Sequence, residues 1–228
     1  MKIWMLAACF ALSTALWAQT PMRVASITAV GSASVPVTPD QALVDIGVST
    51  QAGTAQDATQ QNAAQAGTVI TALQALLGTT ASIKTISYTV SPVYSASSGG
   101  QNPTIVGYMV TNIVQVKLTD LTLIGKTIDT GIQSGANRVQ GVTFGLQDST
   151  APTAQALKTA ASAARAEANA IASGLNVTTG AVLHASEGVN QSNPIALAPG
   201  VAAAASTPIE TGMVVIQASV TLEVAITQ

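Results

Sequence analysis

The chain has 228 residues, with only 8% charged residues, eight basic against ten acidic, and a formal net charge of −2. No basic cluster exists to neutralise phosphates, which excludes nucleic acid as an expected partner. Aromatics make up 3% of the residues, so the stacking platforms of sugar and single-strand sites are not to be expected either.

The N-terminus reads as a signal peptide over residues 1–18. Lys2 is the positive n-region, Ile3 to Leu16 the apolar stretch, and Ala18 the last residue before cleavage, leaving Gln19 as the new terminus. The run is shorter than the ~20 apolar residues that span a bilayer. Leu6-Ala7-Ala8-Cys9 resembles a lipoprotein processing box, but about four apolar residues before it are too few for an h-region. Cleavage would remove Cys9, Trp4, Trp17 and Lys2, giving a mature body (19–228) of charge −3 with no thiol for a disulfide or a metal.

In that body, Val24–Val37 and Gln41–Gln51 alternate apolar and polar residues, as half-buried strands do. Pro39-Asp40 between them reads as a turn. Thr54 to Asp57 forms a capping box. The helix that follows carries Ala58, Ala63, Ala66, Val69, Ile70, Leu73, Leu76 and Leu77 at three- and four-residue spacing and stops at Gly78. Ile83–Tyr94 and Ile105–Leu118 read as a hairpin around a Ser/Gly-rich tip, Ser95–Pro103.

Asp120 caps a second predicted helix, Leu121–Ser134, closed by Gly135, and Val139–Leu146 is a further strand. Pro152 suits the first turn of a third helix. Its apolar face is Leu157, Ala160, Ala161, Ala164, Ala168, Ile171 and Ala172, and Gly174 ends it. Ala181–Val189 is a strand, 190–210 a flexible connector broken by Pro194, Pro199, Gly200 and Pro208, and Met213–Ile226 the last strand. Strands and helices mix without strict alternation, which predicts an α+β fold with mixed sheets and three main helices. About 210 residues form one domain or two small lobes.

Several local motifs and their order are similar to the SIMPL-domain family of exported bacterial proteins, over roughly Ile27 to Ile226. They are Gly31-Ser-Ala-Ser34, Pro39-Asp40, Ser91-Pro-Val-Tyr94, Gly107-Tyr-Met-Val-Thr-Asn112, Gly135-Ala-Asn137 and Gly141-Val-Thr-Phe144, completed by the Ala-rich third helix, Gly174 and Gly180. The resemblance implies a mixed α/β fold, a periplasmic or outer-envelope location, and self-assembly. It also implies links to stress tolerance, envelope function and host immune recognition. It supplies no catalytic residue set. The motif residues themselves suit structural roles: Gly135 and Asn137 a helix exit, Tyr108 and Phe144 core aromatics.

Candidate chemistry is sparse. His184 is the only histidine. Glu187 lies three residues on, so the two project to opposite faces of a strand. The carboxylates are scattered singly, with no calcium-loop spacing, no Gly-x-Ser-x-Gly elbow and no phosphate loop. The expectation is therefore no catalytic, cofactor-binding or metal residues, and a non-enzymatic protein whose partner is itself, in a ring-like homo-oligomer with peripheral envelope contact. A periplasmic module binding a small or peptidic ligand between two lobes is the second expectation, and a hydrolase using His184 the third.

Overall fold

The structure, a computed structural model, describes residues 24–78, 82–95, 102–195 and 211–227. The leader, most of the Ser95–Pro103 tip and residues 196–210 of the connector lie outside them. The described residues form seven strands and three α-helices: β1 (Ser26–Val37), β2 (Gln41–Ala52), α1 (Ala55–Leu77), β3 (Ser82–Tyr94), β4 (Ile105–Leu118), α2 (Ile124–Gln133), β5 (Arg138–Gly145), α3 (Thr150–Gly174), β6 (Thr178–Ile195) and β7 (Met213–Thr227). This is the predicted α+β class. All pairing is antiparallel, in a three-stranded sheet of order β1-β7-β6 and a four-stranded sheet of order β3-β4-β2-β5.

The two sheets are threaded through each other. β1 lies in the three-stranded sheet and β2, three residues later, in the four-stranded one. β5 then pairs with β2, yet leads directly into α3, which packs on β1 and β7. The two crossing segments are bonded together. Asp40 donates its amide to Gly145 O at 3.1 Å. Its carboxylate accepts from Gln147 N at 2.7 Å, and its carbonyl accepts from Gln147 Nε2 at 3.2 Å. Gln41 Nε2 donates to Leu146 O at 2.8 Å. The Pro39-Asp40 segment, predicted as a turn, is an irregular crossing from one sheet to the other and acts as a clamp.

Each sheet buries one face under helix, as strand alternation requires. α1 begins with the predicted box: Thr54 Oγ1 accepts from Asp57 N at 3.1 Å and donates to Asp57 Oδ2 at 2.7 Å. It ends at Gly78, whose φ of 61° is available to glycine at little cost. Val69, Leu73 and Leu77 meet Val44, Ile46, Val48 and Val116 in one core, closed by Ile124 and Ile128 of α2. The α1 stripe differs from expectation in one place: Ala63 is exposed, and Asn62 is fully buried. The amide of Asn62 explains this, donating to the carbonyls of Val48 at 3.0 Å and Val110 at 3.2 Å.

The second core is built on alanine. Ala156, Ala160, Ala164, Ala168 and Ala172, spaced by four along α3, are all buried against β1 and β7. Ile171, predicted on this face, is 37% exposed. A strict four-residue row of methyls lets the helix lie closer to the sheet than isoleucine would permit. Two boundaries move. Residues Leu121–Leu123 form a 3₁₀ turn, capped by Asp120 through Thr122 N at 3.0 Å, before α2 begins. α3 ends at Gly174, as predicted, and the left-handed residue that follows is Asn176, φ 54°. β6 continues to Ile195, because 190–195 pair with β7 instead of starting the connector.

Candidate functional site

The helices leave one face of each sheet open. On the three-stranded sheet that face is set by register. Thr28 and His184 flank Glu223, Ser32 and Gly188 flank Ser219, and Ser34 and Asn190 flank Gln217. Hydroxyls and amides dominate, and Gly188 opens a shallow groove of about 250 Å³ lined by Ser32, Ser34, Asn190, Gln217 and Ser219.

His184 is exposed in β6 and sits directly across from Glu223. Sequence reasoning tested Glu187 and missed Glu223, which is 39 positions away and joins only through the β6–β7 register. Glu187 projects to the other face, as its spacing predicts. Glu223 also accepts from Ser26 Oγ at 2.6 Å. The row therefore contains a serine, a carboxylate and a histidine, in an order that does not activate the serine. Nucleophilic catalysis places the imidazole between hydroxyl and carboxylate, whereas here the carboxylate stands between the other two. Among the described residues no group of three His, Cys, Asp or Glu side chains could hold a metal ion.

A second cavity, about 310 Å³, lies where the end of β6 approaches the four-stranded sheet. It is lined by Gln41, Leu43, Thr143, Phe144, Leu146 and Gln191. Phe144 also packs against the α1 core.

The remaining distinctive side chains serve the fold. Asn137 accepts from Ser49 N at 2.8 Å and donates to Ser49 O at 2.7 Å, while its own amide bonds Gly47 O at 3.1 Å. Its side-chain amide thus acts as one more peptide unit pairing with β2 beyond the end of β5. Gly135, φ 111°, makes the turn before it, and its carbonyl accepts from Gln65 Nε2 at 2.7 Å. A Cβ on Gly107 would stand 2.8 Å from Ala52 O.

The surface resource that the fold leaves unused is backbone. β1, β3, β5 and β6 are edge strands. β1 is roofed by α3 and carries Pro36, and β5 has eight residues and a bulge opposite Asp45 and Ile46. Proline, bulges and shortness are how natural sheets blunt their edges. β3 and β6 are longer, with 13 and 18 residues, and the helices pack mostly on their neighbours, although α1 touches β3 and α3 touches β6; each also carries a proline, Pro92 or Pro194, and shifts of register. Val90 and Val189 face the helix side of their sheets beside Val110 and Ala218, yet are 43% and 40% exposed.

An α+β chain of two threaded antiparallel sheets, with one helix layer on each and no assembled catalytic cluster among the described residues, is the class of protein these elements define. The model of the SIMPL family, described as protein of unknown function (DUF541), matches residues 27–224, and the chain belongs to that family. It is 28% identical over 185 residues to the 26 kDa periplasmic immunogenic protein of Brucella melitensis biotype 1, covering 80% of this chain and 74% of that protein. The protein of the same name from Brucella abortus strain S19 matches to the same extent.

Proposed function

We propose that this SIMPL protein is exported to the periplasm or outer envelope and acts there by assembling with copies of itself, in envelope integrity and stress tolerance, rather than by turning over a substrate. The observation that carries the reading is the pair of long edge strands, β3 and β6, each with a strand partner on one side only among the described residues. Exposed apolar side chains, Tyr88 and Val90 on β3 and Val182 and Val189 on β6, lie along them. The low charge of the chain supports it, since few ionic groups must be desolvated or brought together at a contact. Export is supported by the leader and by the periplasmic relatives. Light scattering over a dilution series tests the reading. Several times the monomer mass at micromolar concentration is expected, and a monomer at every dilution and salt concentration would refute it.

The cavity of about 310 Å³ beside Gln191 favours a second reading, a binding module for a small or peptidic ligand. That reading requires thermal stabilisation that rises with ligand concentration.

A further inference from the structure

We infer that the open face of the four-stranded sheet docks on an anionic lipid surface through Lys84, Lys117 and Arg138. This goes beyond the assembly proposed above and does not depend on it.

Strand alternation fixes which side chains share the face. Val44, Ile46 and Val116 point into the core beneath α1 and α2, and Ile83 of β3 packs against the same core. Their neighbours Asp45, Lys117 and Lys84 therefore project to the opposite side. Arg138 stands there too. It pairs with Gly47, and a Cβ on Gly47 would lie 3.0 Å from the Cβ of Arg138. Lys84 and Arg138 are exposed, and Lys117 is half-buried.

These three cations and Asp45 are the only charged residues on the four strands. Asp45 accepts from Gln115 Nε2 at 3.0 Å. Among the described residues, none of the three cations has a side-chain hydrogen bond or ion pair. The end of β6, which approaches this face at Gln191, is uncharged from Gly188 to Ile195 and offers no carboxylate to offset them. The rest of the described chain holds eight acidic residues and three basic ones. The fold thus gathers a positive face on a negative body, from residues too far apart in sequence to form a basic run.

The spacing selects a surface over a single small anion. Lys117 is the diagonal neighbour of Lys84 across Gln115, about 7–8 Å away at the backbone. Arg138 lies two strands and four residues from Lys117, about 16 Å away. One phosphate cannot span that distance, whereas a bilayer carrying many can meet all three. The adjoining row Thr89, Thr111 and Ser49 continues the face with hydroxyls. Each lysine or arginine held near an anionic bilayer strengthens binding about fivefold.

The test is cosedimentation of residues 19–228 with vesicles, either phosphatidylglycerol mixed equally with phosphatidylcholine or phosphatidylcholine alone. Binding to the mixed vesicles only is expected, with loss in about 1 M salt, where the Debye length is about 3 Å. Lys84→Gln with Lys117→Gln should weaken it about thirtyfold, and Arg138→Gln alone about fivefold. Lys126→Gln with Lys158→Gln makes the same change in net charge at exposed positions elsewhere, and should leave binding unchanged. Far-UV circular dichroism establishes that each variant is folded. Lys84→Gln with Arg138→Gln, both at exposed positions, replaces the first pair if it is not. No binding to the mixed vesicles, or equal binding to neutral ones, overturns the inference. An equal loss in the Lys126 and Lys158 pair assigns the effect to overall charge and also overturns it. Displacement by inorganic phosphate at constant ionic strength would show a discrete phosphate site in place of a lipid surface. None of these outcomes bears on the mass in solution, so this inference and the proposed assembly fail separately.

Discussion

Gly31 of β1 lies so close beneath α3 that a Cβ there would stand 2.1 Å from the carbonyl oxygen of Ala160. The amide nitrogen of Ala164 would be 2.2 Å away. The row of alanine methyls and the missing side chain together bring the helix backbone against the strand. Gly31→Ala must therefore push helix and sheet apart, for a cost of about 1–3 kcal/mol by analogy with overpacked cores. Urea unfolding checks this, and a midpoint equal to the wild type would show that α3 does not approach so closely.

Asn137→Ala removes two hydrogen bonds to the backbone of Ser49 and exposes the unpaired end of β2. The expected loss is about 1–2 kcal/mol. Asn137→Asp should fare no better, because a carboxylate cannot donate to Ser49 O. Hydrogen exchange at Ser49 separates the two: its amide should lose protection in Asn137→Ala and keep an acceptor in Asn137→Asp.

His184→Ala should leave stability within about 0.5 kcal/mol, as for an exposed side chain away from special features. Among the described residues no hydrogen bond joins His184 to Glu223, and the glutamate keeps its bond to Ser26. The assembled mass should also stay unchanged. Loss of an envelope phenotype at normal protein level would instead give His184 a role that the order Ser26–Glu223–His184 does not supply.

Two aspartates set a weak acid limit. The hydroxyl of Thr122, then its amide, lowers the pKa of Asp120; the hydroxyl and then the amide of Thr150 do the same for Asp148. A carboxylate with a lowered pKa in the folded state stabilises above its unfolded pKa, and that contribution is lost as pH falls through the folded value. Melting temperature should thus be level through neutral pH and begin to fall below about pH 4. In Asp120→Asn with Asp148→Asn that acid slope should flatten. An unchanged slope would assign it to other groups.

The sequence carried the elements better than their assembly. Period-two alternation and the caps at Thr54, Gly78 and Asp120 are local signals, and each marks an element boundary in the structure to within a few residues. Asn62 broke the apolar stripe of α1 because its partners are carbonyls on β2 and β4, invisible to helical periodicity. Ile171 was placed inside by hydrophobicity, although the close approach at Gly31 admits only alanine-sized contacts along that face. The prolines and Gly200 of 190–210 end the predicted strand at Val189, while pairing with β7 carries β6 on to Ile195. The neighbours of His184 were out of reach for the same reason: a cross-strand register links residues that no spacing rule connects.

The proposal that this SIMPL protein works as a closed assembly of its own copies is tested most directly by native mass spectrometry of residues 19–228 across a range of concentrations. The account predicts one dominant species at an integral multiple of the monomer mass, unchanged by further concentration. A monomer throughout, or a ladder of masses that grows with concentration, would contradict it.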